Sequence, residues 1–179
     1  MTKTLNVHFS PREGSYSKEL REFFVESVKD KTEVIDTDLV ANQPSLLPLS
    51  DDGKAFDELQ SADYLVLSFP IWNFDAPGAI KAWMDQVWIP GRAFEFTAEG
   101  PKPLLSGKKA LIIMTSGGNT SPGVNDYVTD MLDANLKFAG ITDIEHVFVH
   151  GFNKTEHSPE DLISDGKAQI SEIVKKWYS

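Results

Sequence analysis

The periodicity of the apolar residues constrains this chain most. Short runs rich in β-branched residues alternate with stretches whose apolar positions recur at helical spacing. That alternation predicts an α/β fold, a parallel sheet with helices on both faces. Strands are expected over residues 4–9, 33–38, 63–69, 108–115 and 143–150, the third (Asp-Tyr-Leu-Val-Leu-Ser-Phe) buried at the centre. The first helix is expected over 16–29, with Leu20, Phe23, Phe24 and Val28 on one stripe. A short helix follows near 52–60. The next opens at Pro77 and turns Ile80, Trp83, Met84 and Val87 inward.

A fourth helix is expected over 124–139, aligning Val124, Tyr127, Val128, Met131 and Leu132, with Gly140 as its stop. Ser158 reads as the N-cap of a last helix over 158–177. Residues 90–106 remain a long loop, either a lid or a dimer arm, or simple surface packing. With no internal repeat, residues 1–179 are expected to form one doubly wound domain with five strands in the order 2-1-3-4-5. Ligands of such sheets bind outside the carboxyl ends of the strands, near the switch between strands one and three. The chemistry should therefore lie on the loops after strands one, three and four.

Composition narrows the classes. The chain is 41% hydrophobic, enough for a core, and no run approaches the ~18 apolar residues of a membrane span. Its net charge of −10 disfavours a nucleic-acid partner, and no membrane partner is expected. There is no cysteine, which excludes disulfides, thiolate metal sites and a Cys nucleophile. The first residues carry no signal-peptide pattern, so a cytoplasmic protein is expected. His8, His146, His150 and His157 are scattered without metal-ligand spacing, so no metal is expected. His150 and Phe152 follow strand five but are not assigned to the site.

Three loops carry the candidate site. The loop after strand one, Ser10-Pro11-Arg12-Glu13-Gly14-Ser15-Tyr16-Ser17, places hydroxyls at the start of a helix. A helix N-terminus has unpaired N–H groups and partial positive charge, so the loop suits a phosphate. An ordinary N-cap would use the same residues. The loop after strand three, Pro70-Ile71-Trp72-Asn73-Phe74, sets two aromatics at the end of a buried strand. They could wall a flat ligand, cap the core or meet a second subunit. After strand four, Ser116-Gly117-Gly118 permits close backbone approach to a ligand, or a plain turn. Together they describe a phosphate seat, an aromatic wall and a glycine floor.

The segment Pro70–Phe74, with Lys81-Ala82-Trp83-Met84-Asp85, Gly91–Phe96, Gly100-Pro101 and Gly107–Ala110, resembles the FMN-dependent NADH:quinone oxidoreductases known as azoreductases. These belong to the flavodoxin-like quinone reductases. The resemblance implies bound FMN, with its phosphate on Ser10, Ser15, Tyr16 and Ser17. The isoalloxazine would lie along Pro70, Ile71, Trp72, Asn73 and Phe74. Ser116, Gly117 and Gly118 would stand near its pyrimidine edge. It further implies a homodimer, NADH or NADPH as co-substrate, and a small-molecule quinone-like or azo acceptor. Asn119 and Thr120 stand where many members carry a His; with Phe94 and Phe96 they are the expected substrate-lining residues. No catalytic side chain is named, because flavin N5 takes the hydride. Three other functions stay open, a flavodoxin-type electron carrier, an NADPH-dependent FMN reductase, and a regulatory or binding domain that keeps the fold but not the flavin.

Overall fold

The chain Leu65-Val66-Leu67 has nowhere to face but protein: each of the three side chains is at most 1% exposed. A strand apolar on both faces must be covered on both. The computed structural model, which describes residues 1–47, 53–118, 120–154 and 156–178, covers it in that way. Its parallel sheet contains β1 (Lys3–His8), β2 (Glu33–Asp38), β3 (Tyr64–Pro70), β6 (Lys109–Ser116) and β7 (Asp143–His150). Alternate residues go to opposite faces. Leu5, Val7, Leu65, Leu67, Ile112 and Met114 pack under α2 (Lys54–Ser61), α3 (Gly78–Val87) and α4 (Val128–Ala139). Val66, Leu111, Ile113, Val147 and Val149 pack under α1 (Tyr16–Val28) and α5 (Pro159–Trp177).

The strand order is β2-β1-β3-β6-β7, which differs from the expected 2-1-3-4-5. The labels shift because β4 (Phe94–Thr97) and β5 (Gly100–Pro103) form a separate antiparallel hairpin within the stretch expected to be a loop. Glycine and two prolines over Gly100–Pro103 mask that second strand in the sequence. The hairpin is tied to α4, where the Leu105 amide donates to the Ala139 carbonyl at 2.9 Å.

The fourth helix also starts later than expected. Pro122 and Gly123 (φ +74°) form a turn closed by reciprocal Ser121–Val124 hydrogen bonds, and Asn125 is left-handed at φ +52°. The Asp126 carboxylate then accepts from the Thr129 amide at 3.0 Å, capping the helix. Val124 and Tyr127 therefore leave the inner face and are 56% and 66% exposed.

Parallel register aligns the carboxyl ends. His8 pairs with Ser68, Pro70 with Thr115, and Ser116 with His150. The loops leaving β1, β3, β6 and β7 consequently emerge on one edge.

Candidate functional site

Ser15 caps α1: its backbone is extended, and its hydroxyl accepts from the Lys18 amide. Ser10 donates to the Ser15 hydroxyl at 2.6 Å, and Ser15 and Ser17 lie 3.0 Å apart. Ser15 and Ser17 are buried. Three hydroxyls thus converge where α1 presents its free amides, a place that favours an anion. Arg12 adds a cation, its guanidinium 5.3 Å from the centre of the Tyr16 ring.

The loop after β3 makes a tight two-residue turn. Trp72 and Asp75 exchange both backbone hydrogen bonds at 3.0 Å, while Asn73 (φ +51°) and Phe74 (φ +68°) are left-handed. Two positive φ values between paired ends define a type I′ turn. Asn tolerates that conformation, but a phenylalanine there is strained by about 1–3 kcal/mol. The turn is anchored at its base by the Ile71 amide, which donates to the Thr115 carbonyl at 2.8 Å. Trp72 is braced edge-on by Phe9 at 5.4 Å and remains 45% exposed, next to a 44% exposed Phe74. The amides of Asn73 and Phe74 donate to no acceptor among the described residues.

The loops after β6 and β7 are stitched together. The Gly151 amide donates to the Ser116 carbonyl at 3.1 Å, and the Asn153 amide to the Gly117 carbonyl at 2.6 Å. Phe152 stacks on Tyr16 with ring centres 3.9 Å apart. A side chain on Gly117 would collide with that of Asn153.

These loops enclose a cleft of about 210 Å³. Ser10, Ser15 and Tyr16 line one end, and Pro70 and Trp72 one wall. Thr115, Ser116 and Gly117 form its floor. Arg12, Phe152 and Asn153 complete it; these three and Thr115 lie outside the residues expected from the sequence. An aromatic directly after the last strand was the available signal for Phe152. Ser17 lies behind Ser15, and Ile71, Asn73, Phe74 and Gly118 flank the lining in the chain. Phe94 is instead buried in the hairpin, 4.6 Å from Phe138 of α4, and Phe96 projects outward beside it at 72% exposure. Thr120 is buried, and its carbonyl accepts the Ser116 hydroxyl at 2.5 Å. Asn119 lies outside the described residues.

Two titratable groups sit behind the seat. Burial, and then the charge of Arg21, lowers the pKa of His8 below its ordinary value; Asp38, 3.9 Å away, opposes the shift. Burial pushes Asp36 up, but hydrogen bonds from Arg21 and Asn6 outweigh it and leave the carboxyl below its ordinary range. Both groups steady the β1–β2 edge. Among the described residues no cluster of three metal-ligating side chains occurs, and no helix is long and apolar enough to cross a membrane.

The seat, the turn and the glycine floor, set at the carboxyl edge of a β2-β1-β3-β6-β7 sheet, describe a mononucleotide-binding α/β protein. A family profile described as flavodoxin-like fold matches residues 2–174. An FMN-dependent NADH:quinone oxidoreductase of Shewanella oneidensis is 35% identical over 137 residues, covering 76% of this chain and 68% of that protein. One of Vibrio vulnificus is 37% identical over 135 residues, covering 75% and 66%. The chain thus spans about two thirds of the length of these relatives. Among solved structures, an FMN-dependent NADH-azoreductase of Bacillus anthracis in complex with FMN superposes over the whole of both chains, with a TM-score of 0.87 at 21% identity. The chain belongs to the flavodoxin-like family and, within it, to the family of the FMN-dependent NADH:quinone oxidoreductases.

Proposed function

We propose that this protein binds FMN without covalent attachment and oxidises NADH or NADPH to reduce quinone-like or azo acceptors. The observation that carries this reading is the shared cleft. The Ser10–Ser15–Ser17 hydroxyls, the strained Trp72–Asp75 turn and the Ser116–Gly117 floor meet around one space. Three hydroxyls on a helix N-terminus fit a phosphate dianion, since hydrogen bonds to a charged group contribute roughly 1.5–3 kcal/mol each. The half-exposed Trp72 and Phe74 fit a flat ring, and the free Asn73 and Phe74 amides fit its polar edge.

When bound, FMN accepts hydride at N5 and passes it on. The chain's part is to position and tune. Ser10, Ser15, Tyr16 and Ser17 hold the phosphate end. Pro70, Ile71, Trp72, Asn73 and Phe74 fix the plane of the ring, and Ser116, Gly117 and Gly118 let backbone approach it. Asn119 and Thr120, with the exposed Phe96 supplied by a second copy of the chain on a hairpin that the buried Phe94 anchors, bound the acceptor. The whole of residues 1–179 acts as one FMN-binding domain, working as a homodimer. Exposed apolar side chains at Phe96, Leu104 and Phe138 support a self-association face.

The test is turnover. The purified chain loaded with FMN should oxidise NADH in the presence of menadione, with parallel reciprocal plots as the two substrates are varied. An FMN-loaded protein that turns over no NADH would favour an electron carrier, which the charge of −10 would also suit.

A further inference from the structure

We propose that Lys154 tunes the bound flavin by holding a positive charge over the paired glycines, at the pyrimidine edge of the ring. The inference rests on the reading above, in which FMN fills the cleft with Ser116–Gly118 along that edge.

The β7–α5 loop is built to deliver this residue. Gly151, left-handed at φ +96°, reverses the chain as it leaves β7. Backbone hydrogen bonds then clamp the loop to the floor, from Gly151 to Ser116 at 3.1 Å and from Asn153 to Gly117 at 2.6 Å. The Lys154 amide closes the turn on the Gly151 carbonyl at 2.8 Å. The Lys154 stem crosses Gly118. Its Cγ and Cε each lie 3.6 Å from the point where a Cβ would stand on that glycine. A second cleft of about 260 Å³, lined by Gly117, Gly118, Asn153 and Lys154, shares Gly117 and Asn153 with the first.

The charge on this lysine is not spent elsewhere. Among the described residues of this acidic chain, nine lysines sit within 4.0 Å of a carboxylate. Lys154 has no such partner among the described residues. The paired glycines and Asn153 offer no countercharge.

Electrons added to the isoalloxazine raise the negative charge at N1 and the C2 carbonyl. A fixed cation beside that locus favours the reduced form over the oxidised one. Sulfite reports the same property without turnover. Its sulfur lone pair forms a bond to N5, and the displaced ring electron pair comes to rest on N1 and the C2 oxygen. Because Lys154 is exposed, its effect should be that of one partly screened charge, about threefold in an equilibrium constant.

The experiment compares FMN-loaded wild type, Lys154→Met, Lys154→Gln and Lys154→Arg. Sulfite affinity is read from the bleaching of the flavin band, and the midpoint potential from equilibration with a reference dye. Both neutral variants should bind sulfite about threefold more weakly and show a lower potential, Lys154→Arg should match wild type, and the differences should fade near ~1 M salt. Neutral variants that hold FMN with unchanged sulfite affinity overturn the role of Lys154 alone. An arginine variant as weak as the methionine one does the same. Wild type that takes up no FMN overturns the underlying reading as well.

Discussion

Phe74 occupies a backbone region in which its Cβ crowds the neighbouring peptide, and the hydrogen bonds of the Trp72–Asp75 turn hold it there. If that strain serves the site, relieving it should help the fold and harm the function. Phe74→Asn should raise unfolding stability by about 1 kcal/mol, read as a higher denaturant midpoint, while weakening FMN binding. A lower midpoint would show that the aromatic contacts matter more than the strain. His8 makes a pH prediction. Its folded pKa lies below 6.5, so near pH 6 the unfolded chain binds more protons than the folded one. Stability should therefore fall as pH drops through about 6.5, and His8→Asn should flatten that limb of a melting-temperature profile. An unchanged slope in the variant would exclude His8 as its source. At this scale the sequence was readable where chemistry is local: the Ser10–Ser17 hydroxyls, the Trp72–Phe74 aromatics and the paired glycines each carry their own signal. Arg12 sits within the serine loop and Phe152 just past the last strand, but Asn153 joins the cleft only through the β6–β7 register and its hydrogen bond to Gly117, which no local pattern encodes.

Among the elements, α5 shows how a residue unfavourable to its own helix can be required by a neighbour. Gly166 lies inside that helix, where glycine costs about 1 kcal/mol relative to alanine. A Cβ there would meet Leu20 Cδ2 of α1 and Val149 Cγ2 of β7, each at 2.8 Å. Overpacking of that kind costs about 1–3 kcal/mol. Gly166→Ala should therefore destabilise by about 1 kcal/mol in urea unfolding, against its helix propensity; a gain in stability would mean the α1–α5–β7 contact yields easily. Strongly periodic elements were legible almost to their ends: β2 and β7 match their expected ranges, and α1 differs by one residue. The β4–β5 hairpin was not, because β4 is only four residues long and its partner β5 is glycine and proline at three of its four positions. The start of α4 is not legible in the sequence, because Val124 and Tyr127 keep helical spacing while the Pro122–Gly123 turn and the Asp126 cap exclude them.

At the scale of the whole molecule, the proposed homodimer rests on apolar residues outside the core. Phe96, Leu104 and Phe138 are exposed around the buried Phe94. Light scattering should report a dimer mass, and Phe96→Asp should shift it toward the monomer without altering the far-ultraviolet dichroism; a monomeric wild type would contradict the homodimer. The proposed cleft joins a seat for one phosphate to a seat for one flat ring. Titration of the apoprotein with FMN and with riboflavin, followed by flavin fluorescence, tests it most directly, because the two ligands share the ring and differ by the phosphate. FMN should bind at least about a hundredfold more tightly, the size expected when the Ser10, Ser15 and Ser17 hydroxyls engage a charged group. Equal affinities, or no uptake of either, would overturn the proposed FMN site.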